Sequence, residues 1–216
     1  LHAGMVGKRV IESMCRVRCS AEVASEFRYE NPIIGKKDLC IVVSQSGETA
    51  DTLAAMRLAK QAGAFTVAIV NVVSSTIARE ADGVLYTWAG PEIAVATTKA
   101  YSAQLAALYM ISVRIARVRG HISIGDEKAL CAELRRLPRL IEQTLACKEQ
   151  MQRIATRYAN RASVFFLGRG LDYAAALEAS LKLKEISYVH SEAYAAGELK
   201  HGTISLIEKG TLVVAL

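Results

Sequence analysis

Three hydroxyl side chains and a glycine lie together between Ser44 and Thr49. The preceding residues, Asp38–Val43, have the pattern of a buried strand, and a helical pattern follows, so a strand-to-helix loop is predicted. A helix N-terminus offers unpaired backbone N–H groups and the positive end of the helix dipole. Gly47 would let an anion approach the backbone, and the hydroxyls, including that of Ser46, add donors. This combination suits the phosphate of a small monoester.

The same spacing also permits a simpler interpretation. Ser46 or Thr49 could cap the helix, with Glu48 favourably close to its dipole. The Gly-x-x-x-x-Gly-Lys-Ser/Thr arrangement is absent, which argues against nucleoside triphosphate binding. From the residues alone, both a phosphate site and a plain helix cap remain open.

Two carboxylates and a lysine occupy one face of a predicted helix in the second half of the chain. Glu178, Lys182 and Glu185 are spaced by four and three residues, which places them within roughly 60° of one another. Such spacing is most often an exposed stripe of salt bridges. The helix begins beyond the carboxyl end of a strand, however, where open α/β sheets bind ligands. That position favours acid–base chemistry.

A histidine lies in a segment of small residues and glycines farther along. His201 follows Glu198 and Lys200 within Ser191–Gly202, which is predicted to be a loop. An imidazole titrates near neutral pH and suits proton transfer, although a histidine beside lysine and glycine is more often a surface residue. The residues alone leave both interpretations open.

Short apolar runs alternate with stretches of helical period, which predicts an α/β fold with a parallel sheet and crossover helices. The predicted strands are Asp38–Ser44, Phe65–Val70, Val84–Trp88, Ser163–Leu167 and Thr211–Leu216. The predicted helices are Ala3–Val17, Ala50–Ala62, Thr97–Arg119, Glu127–Ala146, Glu149–Ala159 and Asp172–Val189.

The second half of the chain also echoes the first, with Leu171 matching Leu1 and Lys209 matching Lys37. Two doubly wound modules are therefore expected. The first covers 1–120, and 121–216 holds linker helices and the start of the second. Both are expected to be truncated, because the strand that opens the second copy has no counterpart in the first, and the last strand is cut short.

Composition restricts the class of protein. The net charge of +6 is spread over helical faces interleaved with glutamates, so nucleic acid binding is not expected. The most apolar long stretch, Val95–Arg114, carries Lys99 and Gln104, so no membrane span is expected. Five scattered cysteines without a Cys-x-x-Cys pair indicate reduced thiols in the cytoplasm and no metal site.

Three blocks of sequence resemble the isomerase domain of glutamine:fructose-6-phosphate aminotransferase. The blocks are Ser44–Leu53, Gly90–Ala100 and Leu181–Tyr188 running on to Ala196–Gly202. The resemblance covers essentially the whole chain. It implies two flavodoxin-like sugar-isomerase modules in a homodimer that converts fructose 6-phosphate to glucosamine 6-phosphate, with no cofactor. Ammonia would come from glutamine through a glutaminase domain that is absent from these 216 residues.

The resemblance also assigns roles to individual residues. The substrate's phosphate would be bound by Ser44, Gln45, Ser46 and Thr49, and its sugar contacted by the segment of Val95 and Thr97. Glu185 would shuttle the proton between C1 and C2, supported by Lys182 and Glu178. His201 would assist ring opening from the neighbouring subunit.

The chain departs from the family pattern at two threonines and at its ends. Thr97 and Thr203 stand where serine and proline are more usual. A phosphate-binding Cys-Gly-Thr-Ser turn and a Schiff-base lysine of the family would lie outside the chain, so the fragment alone is expected to be nearly inactive. Two alternatives are a regulatory sugar-phosphate-binding module and another isomerase or deglycase of the superfamily.

Overall fold

Two compact units make up the structure, a computed structural model that describes residues 1–216. The first unit comprises Leu1 and Ala3–Ser112, and the second comprises His2 and Val113–Leu216. Each unit contains a three-stranded parallel sheet. The predicted α/β class with parallel sheets is confirmed. The division into sugar-isomerase modules at residue 120 stays a prediction.

The chain forms eight α-helices, one short 3-10 helix and six strands. The strands are β1 Leu39–Val43, β2 Phe65–Val70, β3 Gly83–Tyr86, β4 Ser163–Gly168, β5 His190–Ala195 and β6 Leu212–Ala215. The helices are α1 His2–Cys15, α2 Ala24–Phe27, α3 Ala50–Gln61, α4 Thr76–Glu80, α5 Lys99–Val118, α6 Ile124–Leu145, α7 Lys148–Tyr158, α8 Leu171–Ser187 and the 3-10 helix Thr203–Leu206.

The sheet of the first unit has the order β1-β2-β3 and is covered on both faces. Val70 packs on one side with Met56 of α3, while Ile69 packs on the other with Leu108 of α5. Side chains alternate across a strand, so an apolar β2 needs helices on both sides. Because Val43 pairs with Ile69 and Val70 with Tyr86, the three strands end at one edge.

The sheet of the second unit has the order β5-β4-β6, with β4 in the centre. Helix α8 packs on this sheet, and the buried hydroxyls of Ser180 and Ser191 lie 3.0 Å apart between α8 and β5. Gly168 ends β4 beneath the first turn of α8. An added Cβ there would lie 2.3 Å from the backbone C and O of Asp172. Only glycine therefore permits this strand-to-helix connection.

Strand β5 corrects a prediction. The segment from Ser191, expected to be a loop, begins as a strand that pairs in parallel with β4 from Ser163↔His190 to Gly168↔Ala195. Its small and polar residues have low strand propensity, but backbone pairing with a central strand outweighs that preference. The predicted helix to Val189 instead ends at Ser187, because Tyr188 adopts a left-handed conformation with φ 59.

Two further differences concern helices. Helix α4 was not predicted from the sequence, and α6 begins at Ile124 rather than Glu127. A capping box explains the earlier start: Ser123 Oγ accepts from the Asp126 N–H at 3.1 Å, and the Asp126 carboxylate accepts from the Ser123 N–H at 2.9 Å. The repeat is imperfect, since residues 21–25 form no strand where the second copy has β5.

Candidate functional site

The segment between β1 and α3 is a compact loop, which we call the hydroxyl loop (Ser44–Thr49). Ser44 extends β1, since its N–H donates to the Ile69 carbonyl at 3.0 Å, and its side chain is buried. The Ser44 hydroxyl lies 3.1 Å from Thr49 Oγ1 and accepts from the Gly47 N–H at 3.0 Å. The hydroxyl therefore fixes the loop from inside.

Neither proposed hydroxyl caps α3. Thr49 occupies the N-cap position, yet its side chain makes no capping hydrogen bond. Ser46 Oγ accepts from the Glu48 N–H at 3.2 Å, which lies before the helix. The capping interpretation is therefore wrong, and no side chain of the loop covers the first N–H groups of α3. Unpaired N–H groups and the positive end of a helix dipole are the features that bind anions in other proteins, and this helix start has both.

Glu48 turns away from α3 to the neighbouring helix α4. Its Oε1 accepts from the Thr76 backbone N–H at 2.7 Å. Hydrogen bonds from the backbone and side chain of Thr76 lower the pKa of Glu48. The adjacent Gly47 carbonyl accepts from the Ile77 N–H at 3.0 Å. The start of α4 thus holds the hydroxyl loop by two hydrogen bonds.

Gly47 is required at its position for two reasons. Its φ of +67° lies in the left-handed region, and an added Cβ would lie 2.1 Å from Ser75 Oγ. Ser75 is buried, and its Oγ has no hydrogen-bond partner. A buried hydroxyl without a hydrogen-bond partner lowers stability. The Ser75 hydroxyl is such a group, and it lies beside Gly47 of the hydroxyl loop.

The charged residues predicted on α8 come together in the structure. Lys182 Nζ lies 2.6 Å from Glu185 Oε2 and 3.5 Å from Glu178 Oε1. The side chains of Glu178, Lys182 and Glu185 are 14%, 19% and 27% exposed. An exposed stripe of salt bridges does not describe this arrangement. Two partly buried carboxylates share one ammonium, which we call the α8 charge cluster.

The environment of Glu178 favours its ionised form. Burial raises the pKa of this carboxyl, but a hydrogen bond with His2 and the charge of Lys182 outweigh it, so the net pKa lies below its ordinary value. His2 Nδ1 is 2.7 Å from Glu178 Oε2. His2 groups with the second unit, and the sequence alone did not identify it as part of this cluster.

The other predicted residues lie apart from hydrogen-bonded clusters. Val95 is 87% exposed in the irregular segment before α5, and Thr97 is partly buried in the same segment. His201 is exposed in a turn before the 3-10 helix, where its backbone N–H donates to the Glu198 carbonyl. Within the first unit, Val95 and Thr97 make no side-chain hydrogen bond with the hydroxyl loop, and within the second, His201 makes none with the α8 charge cluster.

Comparison with protein-family models identifies the family of the chain. The model described as the SIS domain matches residues 1–114 and 157–216. The chain belongs to the SIS-domain family. The unmatched stretch 115–156 contains all of α6 and most of α7, so the two SIS segments are separated by these helices.

Several SIS-domain relatives are closely similar. The chain is 58% identical over 215 residues to glutamine–fructose-6-phosphate aminotransferase (isomerizing) of Caldanaerobacter subterraneus subsp. tengcongensis and 51% identical to that of Methanosarcina acetivorans. In both cases it is covered completely and spans 35% of the relative's length. The solved C-terminal domain of glucosamine-fructose-6-phosphate aminotransferase from Francisella tularensis is 40% identical, with a TM-score of 0.96 over 99% of this chain and 60% of that one.

Besides His2, sequence reasoning missed Asn71 at the edge of this SIS sheet. Asn71 directly follows β2, beside the end of β1, and its side chain makes three hydrogen bonds. A polar residue immediately after a buried parallel strand is the signal that could have identified it. The structure brings no three His, Cys, Asp or Glu side chains together as a metal site. None of its helices has the length and apolar character to cross a membrane.

Proposed function

We propose that this chain carries the isomerase half of a glutamine–fructose-6-phosphate aminotransferase. The observation that carries the proposal is the uncapped start of α3, which directly follows the hydroxyl loop with its neutral donors. Relatives that are 50–58% identical have this enzyme name. Because the chain spans 35% of their length, the activity is proposed for the gene product that contains it.

The hydroxyl loop would bind the phosphate of fructose 6-phosphate. Backbone N–H groups at the start of α3 supply fixed donors, and the Ser44, Ser46 and Thr49 hydroxyls and the Gln45 amide supply side-chain donors. Ser44 is already oriented by Thr49 and Gly47, so little reorganisation is needed on binding. Val95 and Thr97 would contact the sugar.

The α8 charge cluster would perform the proton transfer. Ammonia adds to the C2 carbonyl of open-chain fructose 6-phosphate, and loss of water gives a C2 imine. The Glu185 carboxylate removes a proton from C1 and returns it to C2, while the O1 hydroxyl loses a proton and the imine nitrogen gains one. The result is an amine at C2 and an aldehyde at C1. Lys182 would hold this carboxylate at 2.6 Å, and Glu178 would hold Lys182. His201 would assist ring opening from the neighbouring subunit.

The wider arrangement is proposed from the family resemblance of the sequence. Glutamine would be the ammonia donor, through a glutaminase domain of the same gene product, and the protein would act as a cytoplasmic homodimer. A regulatory sugar-phosphate sensor would need the hydroxyl loop but would have no use for a partly buried cluster of two carboxylates and a lysine. The burial of this cluster favours the enzyme.

The decisive experiment separates binding from turnover. In the gene product that contains this chain, Glu185→Gln is expected to lower glucosamine 6-phosphate formation by roughly 10²- to 10⁴-fold, because the base is lost. Fructose 6-phosphate binding, measured by calorimetry, should change little, because the phosphate donors remain. Glu149→Gln, on the exposed face of α7, is the matched control and should be fully active.

Each other outcome has a definite meaning. Unchanged turnover in Glu185→Gln would contradict the assignment of the base. Sugar-phosphate binding by the unmodified protein without any turnover would indicate the regulatory alternative. Release of ammonia from glucosamine 6-phosphate without glutamine-dependent synthesis would indicate a deglycase.

A further inference from the structure

Asn71 connects the ends of all three strands of the first sheet. It follows β2, and its backbone N–H donates to the Gln45 carbonyl of the hydroxyl loop at 3.0 Å. Its side-chain Oδ1 accepts from Thr87 Oγ1 at 3.0 Å and from the Ala89 N–H at 2.8 Å. Its Nδ2 donates to the Gly90 carbonyl at 2.7 Å. One residue thus binds the loop after β1 and the turn after β3.

The turn after β3 needs such support. Trp88 has φ +52° and Gly90 has φ +71°, so two of its residues lie in the left-handed region. For a residue with a side chain, this conformation is unfavourable and persists only where the surroundings impose it. The Trp88 side chain is exposed, and its ring lies 5.7 Å from the Tyr86 ring between centroids. The Thr87 N–H donates to the Val70 carbonyl at 2.9 Å where the turn begins, and the three hydrogen bonds with the Asn71 amide extend this constraint to Ala89 and Gly90.

The turn after β3 leads directly into the segment that is proposed to contact the sugar. From Gly90 the irregular segment 91–98 runs past Val95 and Thr97 to the start of α5 at Lys99. Its entry point is therefore fixed by Asn71, and the same residue holds the Gln45 carbonyl. The two segments that would hold the phosphate and the sugar share one anchor.

We infer that Asn71 is a positioning residue that sets the distance between the phosphate-binding loop and the sugar-contacting segment, and so selects a hexose phosphate over a bare phosphate. This inference rests on the proposed function. Its chemical basis is the two-sided amide: one end accepts two hydrogen bonds and the other donates one, so no other small side chain reproduces the set.

The test compares two ligands in the gene product that contains this chain. Asn71→Asp keeps the shape but places an oxygen opposite the Gly90 carbonyl, while the backbone bond to Gln45 remains. The dissociation constant for fructose 6-phosphate should rise roughly tenfold, because one hydrogen bond is lost and a carboxylate oxygen repels the Gly90 carbonyl oxygen. The dissociation constant for inorganic phosphate, measured by the same calorimetry, should stay the same.

Two further variants test whether the effect of Asn71→Asp is specific to its side-chain hydrogen bonds. Asn160→Asp makes the same chemical change at an exposed residue after α7 and should alter neither constant. Thr87→Val removes only one of the three side-chain bonds and should shift the ratio of the two constants in the same direction, by less. If Asn71→Asp fails to fold, the ratio for Thr87→Val decides.

Each possible result of these binding measurements either supports or overturns the inference about Asn71. A selective loss of fructose 6-phosphate affinity supports the inference. An equal loss for both ligands, accompanied by a lower melting temperature, shows that Asn71 only stabilises the fold and overturns it, as does no change for either ligand. If the unmodified protein binds neither ligand, the proposed function fails, and this inference fails with it.

Discussion

The two units use the same local plan, a parallel strand followed by a tight turn and a helix, but they present different chemistry. In the first unit the turn between β1 and α3 is itself the candidate site, since the uncapped helix start and the hydroxyls lie in it. In the second unit the turn between β4 and α8 carries Arg169 and glycines, and the charged side chains lie farther along the helix. Glu185 is about four turns into α8.

The difference shows two ways to arrange polar groups at a strand-to-helix connection. A backbone site depends on the conformation of a few loop residues, so the packing around the hydroxyl loop decides its geometry. A side-chain site depends on where the whole helix sits, so the contact between β4 and α8 decides the geometry of the α8 charge cluster. Gly47 controls the packing around the hydroxyl loop, and Gly168 controls the contact between β4 and α8. Substituting these two glycines therefore tests the comparison.

The largest effect is expected from Gly168→Ala in the second unit. The added Cβ would lie 2.3 Å from the backbone C and O of Asp172, and backbone cannot rotate away as a side chain can. The free energy of unfolding should fall by about 3–5 kcal/mol, at the upper end of overpacking effects. Urea denaturation measures it, and Gly197→Ala, where nothing lies within 4 Å, is the control. A loss as small as that control would mean that α8 can shift freely.

A smaller effect is expected from Gly47→Ala in the first unit. The new Cβ would meet the Ser75 side chain, with Oγ at 2.1 Å, in a backbone conformation with φ +67°. The combined cost should be about 2–4 kcal/mol, since the hydroxyl can rotate but the φ strain remains. Fructose 6-phosphate affinity should fall together with stability, because the hydroxyl loop is displaced.

The double variant Gly47→Ala with Ser75→Gly divides this cost into its parts. Removing the Ser75 side chain relieves the overlap and should leave only the φ strain. Gly120→Ala has a similar φ of +74° with nothing within 4 Å, so it measures that strain alone. If the double variant is no more stable than Gly47→Ala, contact with Ser75 is not what requires glycine in the hydroxyl loop.

The sequence predicted the parts of these sites that depend on local pattern. An apolar strand, a run of hydroxyls and a helical period were enough to place the hydroxyl loop, and the spacing of Glu178, Lys182 and Glu185 was enough to place them on one face. The SIS family and the α/β class followed from the resemblance of whole blocks and from the alternation of strands and helices.

Contacts between segments distant in the chain could not be predicted in this way. Ser75 acquires its place from packing against the hydroxyl loop, and no local spacing records that packing. Asn71 has a local signal as the polar residue directly after β2, but its hydrogen bonds with Gln45 and with the turn after β3 have none. Strand β5 was missed because its residues suit a loop, and only its pairing with β4 makes it a strand. The hydrogen bond of His2 with Glu178 spans 176 positions and had no local signal either.

The smallest effect concerns the charges on which the second site depends. Lys182→Met should raise the pKa of Glu178, because the ammonium is one of the causes that lower it. The pKa of Glu48 in the first unit should not change, because hydrogen bonds from Thr76 lower it. Carbon-13 NMR titration of the side-chain carboxyls would measure both values in one sample, and equal shifts at Glu48 and Glu178 would contradict the distinction between the two sites.

The same variant should alter the response of stability to acid. A carboxyl with a lowered pKa in the folded state stabilises the protein above its unfolded-state pKa, near the ordinary 4.5, and that contribution disappears as the pH falls through the folded-state pKa. In Lys182→Met the folded-state pKa of Glu178 lies closer to 4.5, so its contribution should be smaller above that pH and should disappear at a higher pH. Urea denaturation at a series of pH values measures this. Identical acid dependence in both proteins would show that Lys182 does not control the ionisation of Glu178.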